Sequence, residues 1–198
     1  MNEGENNNGK IIGGCCAAAA LAGVAIGMVF FVLSKKGVET IKQLNAENVV
    51  FDESLKTWME TATESEMSSV FPDQFAGFAR VSVTEVSKLP FVDSDHPATE
   101  AVYENGSLKF KVTAANIDGL NHNETVEAAL ESAKSQGVSS HMKGSLPSYS
   151  RLSFSHGGKS YYIRGHSNGW LFVVEYDRSG GDAKDLLRQL FDASNRGG

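Results

Sequence analysis

The hydrophobic pattern divides the chain into an uncharged stretch near its start and a longer part in which apolar and polar positions alternate. Residues 11–33, IIGGCCAAAALAGVAIGMVFFVL, contain no charged side chain, and Lys35 and Lys36 follow closely. A helix of this length would measure about 34 Å, enough to cross a hydrocarbon core of about 30 Å. The sequence therefore predicts a polar tail at 1–10 and a single transmembrane helix at 11–33 that contacts the lipid bilayer.

The start of the chain favours a retained anchor over a cleaved signal. A secretory signal has a basic beginning and an apolar part of roughly 7 to 15 residues, whereas this chain begins MNEGENNNGK and its apolar run is longer. On the C-terminal side Lys35, Lys36 and Lys42 outnumber Lys10 on the other side. By the positive-inside rule, this bias predicts a single-pass membrane protein with a cytoplasmic C-terminal domain.

Small residues recur on one face of the predicted transmembrane helix. Ala19, Gly23 and Gly27 are spaced every four residues, and such a stripe lets two helices approach closely. One interpretation is a homodimer that forms through this face. The other is that small residues fill this part of the helix in every register, and the sequence leaves both interpretations open.

Helical spacing continues beyond the apolar run. Val38, Ile41 and Leu44 lie on one helical face, and Leu55 and Trp58 suggest a second amphipathic helix before Pro72. These residues predict a juxtamembrane helical stalk at 34–70. A soluble domain is then expected at 71–198.

The pattern changes to alternation with period two after Pro72, which is typical of half-buried strands. Strands are predicted within 80–84, 99–103, 108–113, 149–155, 159–165 and 170–176. Asn105 and Gly106 predict a tight hairpin turn between the second and third of these strands. Helices are predicted after Asn121 and Asp182, whose side chains can cap a first turn. The expected fold is α+β, with an antiparallel sheet and with the helices on one face of it. The continuously apolar strand 170–176 is expected at the centre of the sheet.

Composition and charge exclude some classes of partner. The formal net charge is −6, and the Lys and Arg residues do not form a basic stripe. Because contact with phosphates requires clustered cations, we expect no nucleic-acid binding. Both cysteines, Cys15 and Cys16, lie in the apolar run, so the predicted soluble domain has no disulfide.

One string resembles the nucleophile motif of serine hydrolases. Gly165, His166, Ser167, Asn168 and Gly169 fit G-x-S-x-G, in which a strand-to-helix turn exposes the serine. A predicted strand follows this string instead of a helix, and all five histidines precede Ser167. We therefore favour a hairpin turn. A serine-type hydrolase that uses Ser167 is the alternative hypothesis.

Other chemistry-bearing patterns are incomplete. Gly157, Gly158, Lys159 and Ser160 resemble the end of a phosphate-binding loop but lack its earlier glycine and the following helix. The histidines do not have the spacing of metal ligands on a helix. The sequence therefore predicts no catalytic, cofactor-binding or metal-binding residue and no cofactor, and it favours a protein that is not an enzyme.

The anchor and the incomplete motifs together favour a membrane-anchored, non-enzymatic binding or assembly module with a protein partner. The candidates for exposed contact residues are Tyr149, Arg151, Tyr162 and Arg164. Tyr and Arg that alternate on a strand are, however, more often ordinary residues of a sheet face.

Overall fold

A computed structural model describes residues 49–93 and 96–196. The predicted tail, the transmembrane helix at 11–33 with its Ala19, Gly23 and Gly27 face, and the part of the predicted stalk before residue 49 lie outside the described residues. Within the described part of the chain, no helix is both long enough and apolar enough to span a bilayer.

The described residues form three helices, eight strands and a 3-10 turn. The first helix, α1, covers 49–64. The strands are β1 (Gln74–Phe75), β2 (Phe78–Val86), β3 (Ala98–Asn105), β4 (Leu108–Asn116), β5 (His141–Leu146), β6 (Tyr149–His156), β7 (Lys159–His166) and β8 (Trp170–Tyr176). Helix α2 (His122–Ser135) separates β4 from β5, and the 3-10 turn (Arg178–Gly180) and helix α3 (Ala183–Arg196) follow β8.

The strands form one antiparallel sheet in the order β1-β2-β3-β4-β8-β7-β6-β5. Two meanders, β1 to β4 and β5 to β8, meet where β4 pairs with β8. The α+β class and the antiparallel sheet are confirmed. The predicted central position of 170–176 is also confirmed, because β8 has strands on both sides and its side chains enter the cores on both faces.

The prediction that the helices lie on one face of the sheet is wrong. Along β8, Trp170 and Phe172 belong to one apolar cluster with α1 and α3, whereas Leu171 and Val173 belong to another with α2. Successive side chains on a strand point to opposite faces. The helices therefore cover both faces, with α1 and α3 on one side and α2 on the other.

Helix α1 belongs to the core of the domain. Its Trp58 is fully buried and donates a hydrogen bond from Nε1 to the Val70 carbonyl at 3.0 Å. Edge contacts join the Trp58 ring to Trp170 and Phe172. The compact unit begins at Phe51, so the predicted domain start at Phe71 falls inside this unit.

The start of α2 and the turn between β3 and β4 lie where their local sequences predict them. The Asn121 side chain accepts hydrogen bonds from the backbone N–H groups of Asn123 and Glu124, which caps α2. Gly106 lies in the turn between β3 and β4. Its φ is +60°, which glycine adopts without strain. Both features agree with the sequence predictions.

Candidate protein-interaction surface

On the side of α1 and α3, part of the sheet is not covered by any described helix. We define the β5–β6 face as the side chains of Met142, Gly144, Leu146, Arg151 and Ser153, which the strand register places together. Met142 is 71% exposed and Leu146 is 52% exposed. The apolar core on this side includes residues of β1–β4, β7 and β8 but none of β5 or β6. Within residues 49–93 and 96–196, the β5–β6 face is therefore an uncovered surface at the end of the sheet.

The part of this side that α1 covers extends as far as Arg164 of β7. The Arg164 side chain is 2% exposed, and its Nη2 donates to Asp52 Oδ1 of α1 at 2.7 Å. Its guanidinium lies 3.7 Å from the ring centroid of Tyr149 and 4.6 Å from that of Phe51. These contacts hold a buried cation between two aromatic rings and a carboxylate.

His166 completes this cluster. Arg164 Nε donates to His166 Nε2 at 2.8 Å, so that nitrogen carries no proton. Burial, together with the nearby charges of Arg164 and His122, lowers the pKa of His166 from 6.5 to about 3. The imidazole is therefore neutral near pH 7 and serves as an acceptor for the buried guanidinium.

Arg151 occupies the position beside Arg164 in the strand register but has a different environment. It is half-buried, and its guanidinium makes no ion pair or hydrogen bond with another described residue. A β-carbon built on Gly144 would stand 3.2 Å from Arg151 Nε. The Arg151 side chain therefore lies across Gly144, toward the outer edge of β5.

The opposite side of β5 is held by α2. Lys143 forms an ion pair with Glu127, and this contact lowers the pKa of the Glu127 carboxyl. Ser145 Oγ lies 2.9 Å from Ser150 Oγ, and both hydroxyls donate to Asn123 Oδ1. These contacts hold the exposed strand in place from behind.

A second surface that no described helix covers lies on the α2 side, at the other half of the sheet. We define the charged face as Glu100, Glu104, Lys109, Lys111 and Glu175. Lys111 Nζ lies 3.5 Å from Glu100 Oε2 and 3.2 Å from Glu175 Oε2, and Lys109 Nζ lies 2.8 Å from Glu104 Oε1. The charges on this face therefore pair with one another.

Ser167, the alternative nucleophile, lies in an exposed turn between β7 and β8. The strand β8 follows it, as the sequence suggested, and no described histidine forms a hydrogen bond with its hydroxyl. His122 instead bonds Ser150, whose side chain is buried. In the described ranges, no group of three or more His, Cys, Asp or Glu side chains is arranged to hold a metal ion.

The four residues expected from the sequence to make contacts differ in exposure. Tyr149, Tyr162 and Arg164 are buried, so their predicted exposure is wrong, whereas Arg151 is half-buried. Arg164 is covered by α1, Tyr149 lies against the Arg164 guanidinium, and Tyr162 belongs to the apolar cluster on the same side. The sequence missed Met142 and Leu146, because it did not predict a strand at 141–146.

Comparisons with known proteins give little to add to this geometry. No family model matches the chain, and no curated protein matches it. Among solved structures, a GTP binding regulator from Thermotoga maritima is 17% identical, with a TM-score of 0.48. The match covers 67% of this chain and 88% of that one. This likeness assigns neither a family nor a ligand to the chain.

Proposed function

We propose that this chain is a membrane-anchored, non-enzymatic binding module that uses the β5–β6 face to contact a partner protein. The observation that carries the proposal is the exposure of Met142 and Leu146 beside Arg151, on a strand that α2 holds from behind. Arg151 has no acidic partner among the described residues, and Met and Arg are among the residue types enriched at protein interfaces.

The proposed anchor holds this surface close to a membrane. In this proposal the uncharged run 11–33 tethers the domain to a bilayer, and the lysines that follow the run favour a cytoplasmic side for the domain. A tether raises the effective concentration of the domain near partners on the same membrane. Moderate affinity at the β5–β6 face is then sufficient for assembly.

Two measurements test the anchor and its orientation. The full chain should remain in the membrane fraction after alkaline carbonate extraction, and release into the supernatant would contradict anchoring. In sealed right-side-out vesicles, the domain should resist added protease until detergent is present. Digestion before detergent would contradict the cytoplasmic orientation.

Site-specific photo-crosslinking tests the binding function. A photoreactive amino acid at Met142 should give a discrete adduct in native membranes, and the same group at Glu104 on the charged face should not. The substitution Leu146→Asp should remove most of the Met142 adduct, because it places a charge in the apolar part of the contact. Equal crosslinking from both positions, or none from either, would contradict the proposal.

A further inference from the structure

The outer edge of β5 pairs with no other strand in the part of the chain that the structure describes. β5 is the last strand of the sheet, and Leu146 pairs with Tyr149 across a two-residue loop. In a two-residue hairpin, the residues that flank the loop form a backbone hydrogen-bonded pair, here Leu146 and Tyr149. Along an antiparallel ladder, hydrogen-bonded pairs alternate with pairs that have no hydrogen bond between them, so Gly144 and Met142 also bond β6. The N–H and C=O groups of His141, Lys143 and Ser145 therefore face outward, where they can bond another strand.

The other end of the sheet is a poorer template for strand addition. There β1 pairs with β2 through Gln74 and Phe75, and the Arg80 N–H donates to the Asp73 carbonyl. Beyond Arg80, the outer edge of β2 pairs with no described strand. However, the register of β2 shifts between Arg80 and Ser82. A bulge of this kind twists an edge away from a flat partner. By contrast, the pairing of β5 with β6 is regular over the whole strand.

Side chains on β5 specify the chemistry of an added strand. Residues opposite Met142, Gly144 and Leu146 would form non-bonded pairs, in which side chains are closest. Gly144 leaves space in the middle of this row, and Arg151 lies across that space. A carboxylate placed there would meet the guanidinium, while its neighbours two residues away on either side would meet Met142 and Leu146.

We propose that β5 binds an extended segment of a partner protein by strand addition, with an acidic residue over Gly144 that is flanked two positions away on each side by apolar residues. This inference rests on the proposed function and names its binding mode. The backbone groups of a partner strand bond the outward groups of β5, and the acid neutralises Arg151. The contacts behind β5 hold the strand in its binding conformation, which lowers the entropy lost on binding.

Two other occupants fit these features less well. A second copy of this chain paired through β5 would bring a second Arg151 to the same face, and like charges disfavour that arrangement. Lipid head groups supply acidic groups but no ladder of backbone donors and acceptors. The charge and the unpaired backbone together therefore favour an acidic, extended polypeptide.

Peptide binding to the full chain in detergent micelles tests the mode. The probe is the peptide KTVTETVTK, which places V, E and V on one face, and the control is KTVTKTVTK. The chain should bind the probe at least about fivefold more tightly than the control, since the first forms an ion pair and the second repels Arg151. Equal affinities, or binding of neither peptide, would overturn the proposal.

Reversing the charge of Arg151 is the more specific test in this experiment. Arg151→Glu should reverse the preference between the two peptides, and Arg151→Gln should remove the preference without unfolding the chain. Lys88→Glu makes the same charge change at an exposed position after β2 and should leave the preference as it is. A preference that survives Arg151→Glu would overturn the proposal.

Hydrogen exchange locates the bound peptide. The probe should slow exchange at the amides of His141, Lys143 and Ser145 and leave the amides of β2 unchanged. Protection along β2 instead would overturn the proposal, as would protein concentration-dependent protection of β5 without peptide, which indicates self-pairing. A Met142 photo-adduct without peptide binding would leave the binding function standing and remove only the strand-addition mode.

Discussion

On the charged face, Lys111 lies within ion-pair distance of both Glu100 and Glu175, whereas on the β5–β6 face Arg151 has no acidic partner among the described residues. Neither of these two parts of the sheet is covered by a described helix. The first surface satisfies its charges across the strands, which suits a face that stays in water. On the second surface, a cation has no described acidic partner and two apolar side chains are exposed. A partner that covered this surface would gain binding free energy from an ion pair and from apolar burial.

A closer comparison contrasts Arg164 and Arg151, which are neighbours across β6 and β7. Arg164 is covered by α1 and bonds Asp52 and His166. Arg151 lies just outside the part of the sheet that α1 covers. The two arginines should therefore differ in what they contribute, with one stabilising the fold and the other remaining available for binding.

The largest expected effect comes from removing the covered arginine. Arg164→Ala should lower the free energy of unfolding by about 2–4 kcal/mol, because it removes the packing between Phe51 and Tyr149 and leaves His166 without its donor. Arg151→Ala should change it by no more than about 0.5 kcal/mol. Chemical denaturation of the purified chain measures both. Similar costs for the two substitutions would contradict the contrast.

The pKa of His166 predicts the next effect. Since its pKa is about 3 in the fold and 6.5 when exposed, the unfolded state binds more protons between these values. Stability contributed by this group is therefore full above pH 6.5 and falls as the pH drops, by at most about 1.4 kcal/mol per pH unit.

His166→Gln should flatten this pH dependence, and His96→Gln, at an exposed position, should not. Denaturation at a series of pH values from 7 to 4 measures the slopes. Both variants contain the same carboxylates, so the difference between their slopes isolates His166. Identical slopes in His166→Gln and the parent chain would contradict a buried neutral imidazole.

A smaller effect is expected on the charged face. Lys111→Met should cost about 0.5–1 kcal/mol at low salt, because it leaves Glu100 and Glu175 without their shared cation, and salt should reduce that cost. Lys56→Met removes a more exposed pair with Glu60 and should cost less. Denaturation at low and high salt makes the comparison. A cost for Lys111→Met that does not depend on salt would contradict its electrostatic origin.

The smallest effect on stability is expected where the effect on binding is greatest. Met142→Ser and Leu146→Ser remove exposed apolar groups, so each should change the free energy of unfolding by no more than about 0.5 kcal/mol. Each should nevertheless weaken binding of KTVTETVTK, measured by titration. A large loss of stability would show that these side chains belong to the core instead of to a binding surface.

Much of the sheet could be predicted from the sequence, because burial leaves a pattern. The continuous apolar run of β8 showed a strand covered on both faces, and Asn121 and Gly106 marked a helix start and a turn. The sides on which the helices pack were not predictable in this way. Each strand of the central region has apolar residues on both faces, and periodicity alone does not assign a helix to either.

The candidate surface could not be predicted for the opposite reason. In β5, HMKGSL, only Met142 and Leu146 are apolar, and an exposed edge strand has no buried face to impose alternation. The burial of Arg164 depends on Asp52, which is 112 residues away in the chain. No local pattern distinguishes Arg164 from Arg151, so only the tertiary structure shows which of the two remains available.

The most direct test of the central claim is a labelling experiment that compares the two uncovered faces. In a chain in which Cys15 and Cys16 are replaced by Ala, the substitutions Met142→Cys and Glu104→Cys each place one thiol on one face. Maleimide should label both thiols in the purified chain, but in opened native membranes it should label the thiol at 104 and spare the one at 142. Equal labelling of both positions in membranes would contradict a partner bound at the β5–β6 face.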